Sequence, residues 1–215
     1  MLRSPRVIRN RATRIAAVAT LLAVVTAVPS LAADLSVTIV GHPAADTKST
    51  SASFTWTRQG TYTSTQCKLD GAAYATCGNA KSYSGLSEGS HSFSVRIQGG
   101  GDSDVASFTW TVDQTGPTDP VVTGGSLTWA KPSVVLSASG STDTGGSGVK
   151  YYQHRTSFDS GATWSASANG ATHTVTTAGA SITQFRAVDN AGNTSAWAPA
   201  VADQVAPLSD DVRCW

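Results

Sequence analysis

Three cysteines are the residues of this chain with the clearest redox chemistry. Cys67 and Cys77 bracket an Asp70-Gly71 turn inside a run of strand-like sequence. An Asp-Gly pair between alternating segments favours a β-hairpin. A cysteine pair around such a turn favours a disulfide, which needs an oxidising compartment. We predict that Cys67 bonds Cys77 and that Cys214 is free; pairing of either cysteine with Cys214 is the alternative.

The geometry of this hairpin restricts how the two cysteines meet. A two-residue Asp70-Gly71 turn places Cys67 opposite Tyr74, and Cys77 then lies about 10 Å further along a straight strand. A disulfide tolerates Cα separations only up to about 7 Å. We therefore expect the chain to leave the hairpin after Tyr74 and to bend back through Ala75-Thr76.

Carboxylates and imidazoles form no pattern that indicates catalysis. Six of the 14 acidic residues stand in predicted turns, where aspartate has a structural role: Asp70, Asp102, Asp104, Asp143, Asp159 and Asp189. The histidines, His42, His91, His154 and His173, include no pair with metal-ligand spacing. No nucleophile elbow or phosphate-binding loop is present. We predict no catalytic residue and no cofactor.

Calcium is the metal that these loops could hold. Asp102, Asp104, Asp143 and the run 189–193 offer oxygen donors. Their spacing does not match a twelve-residue EF-hand loop, and turn stabilisation explains them more simply. We predict no metal site.

Strand patterns around these residues predict an all-β chain. Short alternating segments separated by turns recur about every ten residues, as in β-sandwiches. The predicted strands cover 35–40, 52–56, 62–69, 93–97, 108–112, 127–129, 134–138, 149–157, 164–168, 172–176, 182–188 and 196–202. We predict sandwich domains at 34–114 and 121–203, a proline-containing linker at 115–120 with few contacts across it, and an irregular tail at 204–215.

The first 33 residues predict export. An arginine-rich head precedes an apolar run at 15–28, and small residues follow at Ala32 and Ala33. This is the pattern of a cleavable signal peptide, and the run is too short to span a bilayer well. Five of the 15 basic residues and none of the 14 acidic residues lie in this segment. Residues 34–215 therefore carry 10 basic and 14 acidic residues, a net charge of −4 with histidine neutral. An acidic chain with scattered cations argues against nucleic acid as a partner.

One segment resembles the Asp-box of sialidases and related propeller glycosidases: Ser157-Phe-Asp-Ser-Gly-Ala-Thr-Trp164. The resemblance implies a structural hairpin. Asp159 accepts hydrogen bonds from the turn, Gly161 takes a positive φ, and Trp164 packs beneath, with Ser157 and Thr163 completing the box. A single box in a sandwich-sized segment makes a glycosidase the least favoured function.

Residues 34–117 resemble bacterial immunoglobulin-like domains of the Cys-x-Leu-Asp-Gly…Cys type. The likeness also rests on the segment from Tyr83 to Arg96 and on Trp110-Thr-Val-Asp113; the loop 98–104 departs from the family pattern. Residues 121–203 are similar to fibronectin-III-like or immunoglobulin-like repeats of secreted actinobacterial proteins, through 152–157, 161–164 and 184–197.

These resemblances imply a non-catalytic role. We predict a secreted or cell-surface bacterial repeat protein, acting as an extracellular spacer, adhesion or interaction module on an extracellular protein or polysaccharide. A carbohydrate-binding accessory module is the alternative. Core packing is favoured for Trp56, Trp110, Trp129, Trp164 and Trp197; an exposed row of them would favour the carbohydrate function.

Overall fold

The computed structural model describes residues 34–128, 133–199 and 201–205. These residues form fifteen β-strands and no helix. Within them, therefore, no helix is long and apolar enough to cross a membrane. The predicted leader 1–33, Trp129 and Cys214 lie outside the described residues.

The first half folds into two facing sheets. Its strands are β1 (Ser36–Gly41), β2 (Asp46–Thr47), β3 (Ala52–Gln59), β4 (Ser64–Leu69), β5 (Ala75–Thr76), β6 (Ala80–Tyr83), β7 (Gly89–Gly99) and β8 (Asp102–Val112). One sheet has the order β1-β3-β6 and the other β2-β8-β7-β4-β5. All pairs are antiparallel except β2 with β8.

Aromatic side chains at period two fill the space between these sheets. Phe54 and Phe93 stack with ring centroids 4.2 Å apart, and Trp110 lies 5.1 Å from Phe54. All three are essentially inaccessible to solvent. Each such side chain stabilises the fold by about 1.5–3 kcal/mol on burial. The alternation that brings them to one face is the reason these segments form strands.

The second half repeats the plan with a smaller aliphatic core. Its strands are β9 (Val121–Gly124), β10 (Val134–Ser139), β11 (Val149–Ser157), β12 (Ala168–Asn169), β13 (Thr172–Val175), β14 (Gly179–Asp189) and β15 (Val201–Val205). The sheets have the orders β13-β10-β9 and β12-β11-β14-β15. Leu136 and Phe185 are fully buried between them, with Val134, Val175 and Val205.

The hairpin between β7 and β8 contains the loop where the chain departs from the family pattern. Gly100 and Gly101 have φ values of +61° and +96°. Both angles lie in the left-handed region, which glycine adopts without a steric cost. The two glycines thus form a tight turn whose twist matches the flanking strands.

Three predicted strands differ from the structure. Residues 127–128 form no strand; the first strand of the second half is β9 instead. Only Ala168 of the predicted 164–168 lies in a strand, and β15 replaces the predicted 196–202 and continues through Val205. The tryptophans that suggested two of these segments, Trp164 and Trp197, pack on arginine side chains rather than between the sheets.

Candidate functional site

The cysteine hairpin contains a Cys67–Cys77 disulfide with a Cα separation of 5.9 Å. The predicted path of the hairpin is wrong by one residue: Cys67 pairs with Ala75 instead of Tyr74, and Ala75-Thr76 form strand β5 instead of a bend. The extra residue in the connection shifts the register. Cys77 is therefore a diagonal cross-strand neighbour of Cys67, within reach of a disulfide.

The tip of this hairpin is joined to strand β7 by a buried histidine. Asp70 has a φ of +52°; its Oδ1 accepts the Ser92 amide at 2.7 Å. Its Oδ2 lies 2.9 Å from Nδ1 of His91, and Nε2 of His91 lies 2.8 Å from the Ser87 carbonyl. Both ring nitrogens thus face acceptors, so only the protonated imidazole satisfies both contacts.

Electrostatics around the pair agree with that protonation state. Partial burial alone would lower the pKa of His91, but the Ser87 carbonyl and Asp70 outweigh it and raise the pKa. Burial would raise the pKa of Asp70, but the hydrogen bonds from His91 and Ser92 outweigh it and lower the pKa. The sequence predicted an ordinary strand histidine and an ordinary turn aspartate here.

The Asp-box segment forms a hydrogen-bonded turn. Asp159 Oδ1 accepts the Ser157 hydroxyl at 2.7 Å and the Thr163 amide at 2.8 Å. The Thr163 hydroxyl also donates to Asp159 Oδ2, and the Gly161 amide donates to Ser157 Oγ. Hydrogen bonds from Thr163, followed by that from Ser157, lower the pKa of Asp159 to about 2. Asp159 is an acceptor held ionised by its own turn.

A cluster of three aspartates lies where the two halves of the chain meet. Oxygen atoms of Asp113, Asp143 and Asp189 lie within 4.8 Å of one another. Asp113 and Asp189 are almost fully buried. Burial, followed by the charges of Asp113, Asp189 and Glu88, raises the pKa of Asp143. Of the residues that the sequence offered as calcium ligands, only Asp143 and Asp189 lie in this cluster.

Carboxylate oxygens at this spacing are the kind of ligands that a hard cation such as Ca²⁺ prefers. Each carboxylate already accepts backbone amides, however: Asp113 that of Ser147 at 2.7 Å, Asp143 that of Gly148 at 2.6 Å and Asp189 that of Asn193 at 2.7 Å. The second oxygen is occupied in two of them: Asp113 accepts the Thr115 amide at 3.1 Å and Asp189 accepts the Asn193 side-chain amide at 2.8 Å. Turn stabilisation, the predicted role, thus describes Asp143 and Asp189, whereas the Ser147 contact of Asp113 crosses between the two halves.

Several hydrogen bonds cross between the two halves at this junction. The Asn193 side-chain amide donates to the carbonyls of Asp113 at 2.9 Å and Thr115 at 3.2 Å. Lys48 Nζ donates to the Gly192 carbonyl at 2.6 Å. A Cβ on Gly116 would lie 2.7 Å from the Thr194 carbonyl oxygen, so only glycine allows this approach. The linker carries more contacts than the few that the sequence predicted.

The four tryptophans within the described residues divide into two groups. Trp56 and Trp110 are buried between the sheets of the first half, as predicted. Trp164 and Trp197 are half-buried. They stack on Arg155 and Arg186, which lie on the outer face of the β12-β11-β14-β15 sheet, opposite the buried Phe185. The prediction of core packing is therefore wrong for this second pair, because each ring stacks on guanidinium groups.

These rings alternate with two arginines. The Arg155 Cζ lies 4.3 Å from the centroids of both Trp164 and Trp197, and Arg186 Cζ lies 4.5 Å from the centroid of Trp197. Cation–π stacking of this kind contributes about 0.5–1 kcal/mol per contact at exposed sites. We call these four residues the Trp–Arg ladder. Burial, followed by the like charge of Arg186, lowers the pKa of Arg155.

Glutamines hold the ladder's arginines in place. Nε and Nη2 of Arg155 donate to Gln184 Oε1 at 3.1 and 2.7 Å, and Nε of Arg186 donates to Gln153 Oε1 at 2.9 Å. Cross-strand pairing between β11 and β14 sets Gln153 opposite Arg186 and Arg155 opposite Gln184. Sequence reasoning missed the ladder, although arginine and glutamine at alternate positions of two strands was a visible signal.

A polar chain crosses the interior of the second half. Thr156 Oγ1 lies 3.1 Å from both His173 Nε2 and Thr183 Oγ1. Asp203 is fully buried, and neither of its oxygens accepts a hydrogen bond from a described residue. Burial raises the pKa of Asp203 to about 6, and the neighbouring Thr183 hydroxyl offsets a smaller part of that effect.

No protein-family model and no curated protein matches the chain. Among solved structures, it is similar to domains A168 to A170 of titin, with a TM-score of 0.50 and 14% identity over 72% of this chain and 58% of that one. It is also similar to the fibronectin(III)-like modules of CbhA from Clostridium thermocellum, with a TM-score of 0.44 and 13% identity over 80% and 94%. Chicken CNTN1 domains FN1–FN3 match with a TM-score of 0.35 and 12% identity over 78% and 65%.

These likenesses concern the fold. The chain spans less than two thirds of the titin and CNTN1 fragments. The predicted fold class is confirmed: the chain has the all-β architecture of immunoglobulin-like or fibronectin-III-like sandwich modules.

Proposed function

We propose that this protein is a non-catalytic extracellular spacer, a pair of sandwich modules that holds whatever it joins at a fixed separation. The observation that carries the proposal is the hydrogen-bonded junction. Asp113, at the end of the first sandwich, accepts the Ser147 amide, and Asn193 donates back to two linker carbonyls. Contacts of this kind restrict the hinge motion that is otherwise expected between modules on a short linker.

Two further features support an extracellular, non-enzymatic role. The Cys67–Cys77 disulfide suits an oxidising compartment, and the leader pattern at 1–33 suits export. Asp159, the acid with an enzyme-like motif around it, is occupied by its own turn. N-terminal sequencing of exported material should begin near residue 33; a chain that began at Met1 would contradict export.

Nuclear spin relaxation of backbone amides tests the rigid junction directly. In the wild-type chain, we expect the amides of 34–112 and 121–205 to report one common rotational correlation time. Asn193→Ala removes both donors to the linker carbonyls and should give the two sandwiches shorter, unequal correlation times. Independent tumbling of the two sandwiches in the wild-type chain would overturn the spacer proposal.

Asn190→Ala is the matched control. Asn190 lies in the same turn, but its side-chain amide donates to the carbonyls of Ser147 and Gly148, inside the second sandwich. We expect this variant to keep the common correlation time. Loss of rigidity in both variants would assign the effect to the turn instead of the junction.

A further inference from the structure

We propose that the Trp–Arg ladder on the outer face of the β12-β11-β14-β15 sheet binds a polysaccharide that carries carboxylate groups. The guanidinium groups of Arg155 and Arg186 would receive the carboxylates. This binding function goes beyond the spacer role and rests on a different part of the molecule.

Orientation of the two guanidiniums is the first argument. Each is fixed through Nε by a glutamine on the neighbouring strand and stacked against Trp197. Three of their nitrogens donate to no described residue: Nη1 of Arg155, and Nη1 and Nη2 of Arg186. The open Nη1/Nη2 side of Arg186 has the fork geometry that binds a carboxylate through two parallel hydrogen bonds. Less side-chain freedom is lost on binding because the forks are already positioned.

Unbalanced charge is the second argument. The Cζ atoms of Arg155 and Arg186 lie 4.3 Å and 4.5 Å from the centroid of the Trp197 ring, so the two guanidiniums are close neighbours. The one ion pair among the described residues is His91 with Asp70, in the other sandwich. Two neighbouring cations without a carboxylate partner repel each other, and an anion bound at both would relieve the repulsion. A ligand with carboxylates on successive units can meet both.

The shape of the face favours a sugar polymer over an acidic peptide. Planar groups cover it: the two indoles, the two guanidiniums, and the amides of Gln153 and Gln184. The guanidinium edges and the amides exchange hydrogen bonds with the hydroxyls and carboxylates that a sugar polymer presents on every unit. Peptides that bind to sheets gain specificity from side-chain pockets or from an open strand edge instead.

Binding of the full chain to polygalacturonate, measured by isothermal titration calorimetry, tests the proposal. We expect saturable binding by the wild-type chain, and a loss of about tenfold or more in affinity in Arg186→Gln and in Arg155→Gln, since each removes charge-assisted hydrogen bonds. Arg186→Lys keeps the charge but not the fork, and should lose nearly as much. Fully methyl-esterified polygalacturonate, which carries no carboxylate charge, should not bind.

Lys150→Gln is the matched control. Lys150 is an exposed cation on β11, outside the ladder, so the same change of charge there should leave the affinity unchanged. Thermal unfolding of every variant checks that the sandwich remains folded; if Arg186→Gln unfolds, Arg186→Lys carries the test. Absent binding to polygalacturonate, equal affinity of wild-type and Arg186→Lys, or tighter binding to poly-glutamate than to polygalacturonate would each overturn the proposal.

Discussion

His91 Nδ1 lies 2.9 Å from Asp70 Oδ2, and this contact joins a buried position of strand β7 to the tip of the disulfide hairpin. The two residues form the one ion pair among the described residues, although strands β5 and β6 separate them in the sequence. The contact ties the position of the Asp70-Gly71 turn to the core that Trp110 fills, since the His91 ring lies 5.5 Å from that indole.

Stability should therefore depend on pH through this pair. The raised pKa of His91 contributes stability that is complete below its unfolded value, about 6.5, and is lost as the pH rises through the folded pKa. The lowered pKa of Asp70 contributes stability that is present above about 3.8 and is lost as the pH falls through the folded pKa. The pair thus stabilises the fold most between these limits.

Asp70→Asn should lower the free energy of unfolding by about 1 kcal/mol at pH 6, a modest value because the Asp70 side chain is 44% exposed. The difference from wild type should shrink as the pH rises through the folded pKa of His91, which lies above its ordinary value. Urea denaturation between pH 5 and pH 9 measures both. Asp119→Asn, at an exposed linker position, is the control; parallel profiles of wild type and Asp70→Asn would contradict the assignment.

The disulfide hairpin gives a second prediction. Replacing both cysteines, Cys67→Ala with Cys77→Ala, should lower the free energy of unfolding by about 2–3 kcal/mol, because a short closed loop no longer restricts the unfolded chain. Chemical denaturation measures the loss, and Cys214→Ala should show none. Peptide mapping without reduction provides the independent check: a peptide joining Cys214 to Cys67 or Cys77 in the monomer would refute the pairing.

Asp159 gives a prediction about the absence of catalysis. Asp159→Ala should lower the melting temperature, since the Ser157 and Thr163 hydrogen bonds are lost. The difference in melting temperature between wild type and Asp159→Ala should persist down to about pH 3. The pKa of Asp159 lies at about 2, so its carboxylate stays ionised above that pH. Assays for release of sialic acid should be negative for both proteins. Sialidase activity that disappears in Asp159→Ala at unchanged melting temperature would contradict the structural role.

The strands of the first half were predictable from sequence because burial follows period two. Phe54 and Trp56 on β3, and Phe93 and Ile97 on β7, alternate with polar residues in the predicted strands and are buried. When apolar and polar residues alternate along a segment, only one strand orientation turns the apolar face toward the core. Strands of two residues, such as β2 and β5, are too short to show a period.

Long-range contacts were not predictable for a different reason. Asp143 and Asp189 each fit a local turn and Asp113 follows directly after strand β8, and nothing in these three segments indicates that they lie side by side. Trp164 and Trp197 fit a strand pattern, but stacking on Arg155 outweighed core packing. The register of the disulfide hairpin was missed by one residue because the length of its connection is set by the fold, not by the Asp-Gly pair alone.

Asp203 is a fully buried carboxyl whose raised pKa makes stability depend on pH. Its folded pKa, raised to about 6 by burial, exceeds the unfolded value near 3.8. Below pH 3.8 both states are protonated, and the charge costs nothing. As the pH rises through about 6 the folded protein must ionise an inaccessible carboxyl, so stability falls across this window and stays lower above it.

Asp203→Asn removes that charge at nearly constant shape. It should raise the free energy of unfolding by up to about 3 kcal/mol at pH 8, the equivalent of roughly two pKa units, and by much less at pH 4. Urea denaturation at the two pH values measures the difference. Asp102→Asn, at an exposed position of the β7–β8 hairpin, controls for the general change in net charge. A variant equally or less stable than wild type at pH 8 would show that Asp203 has a compensating partner, and the burial argument would fail.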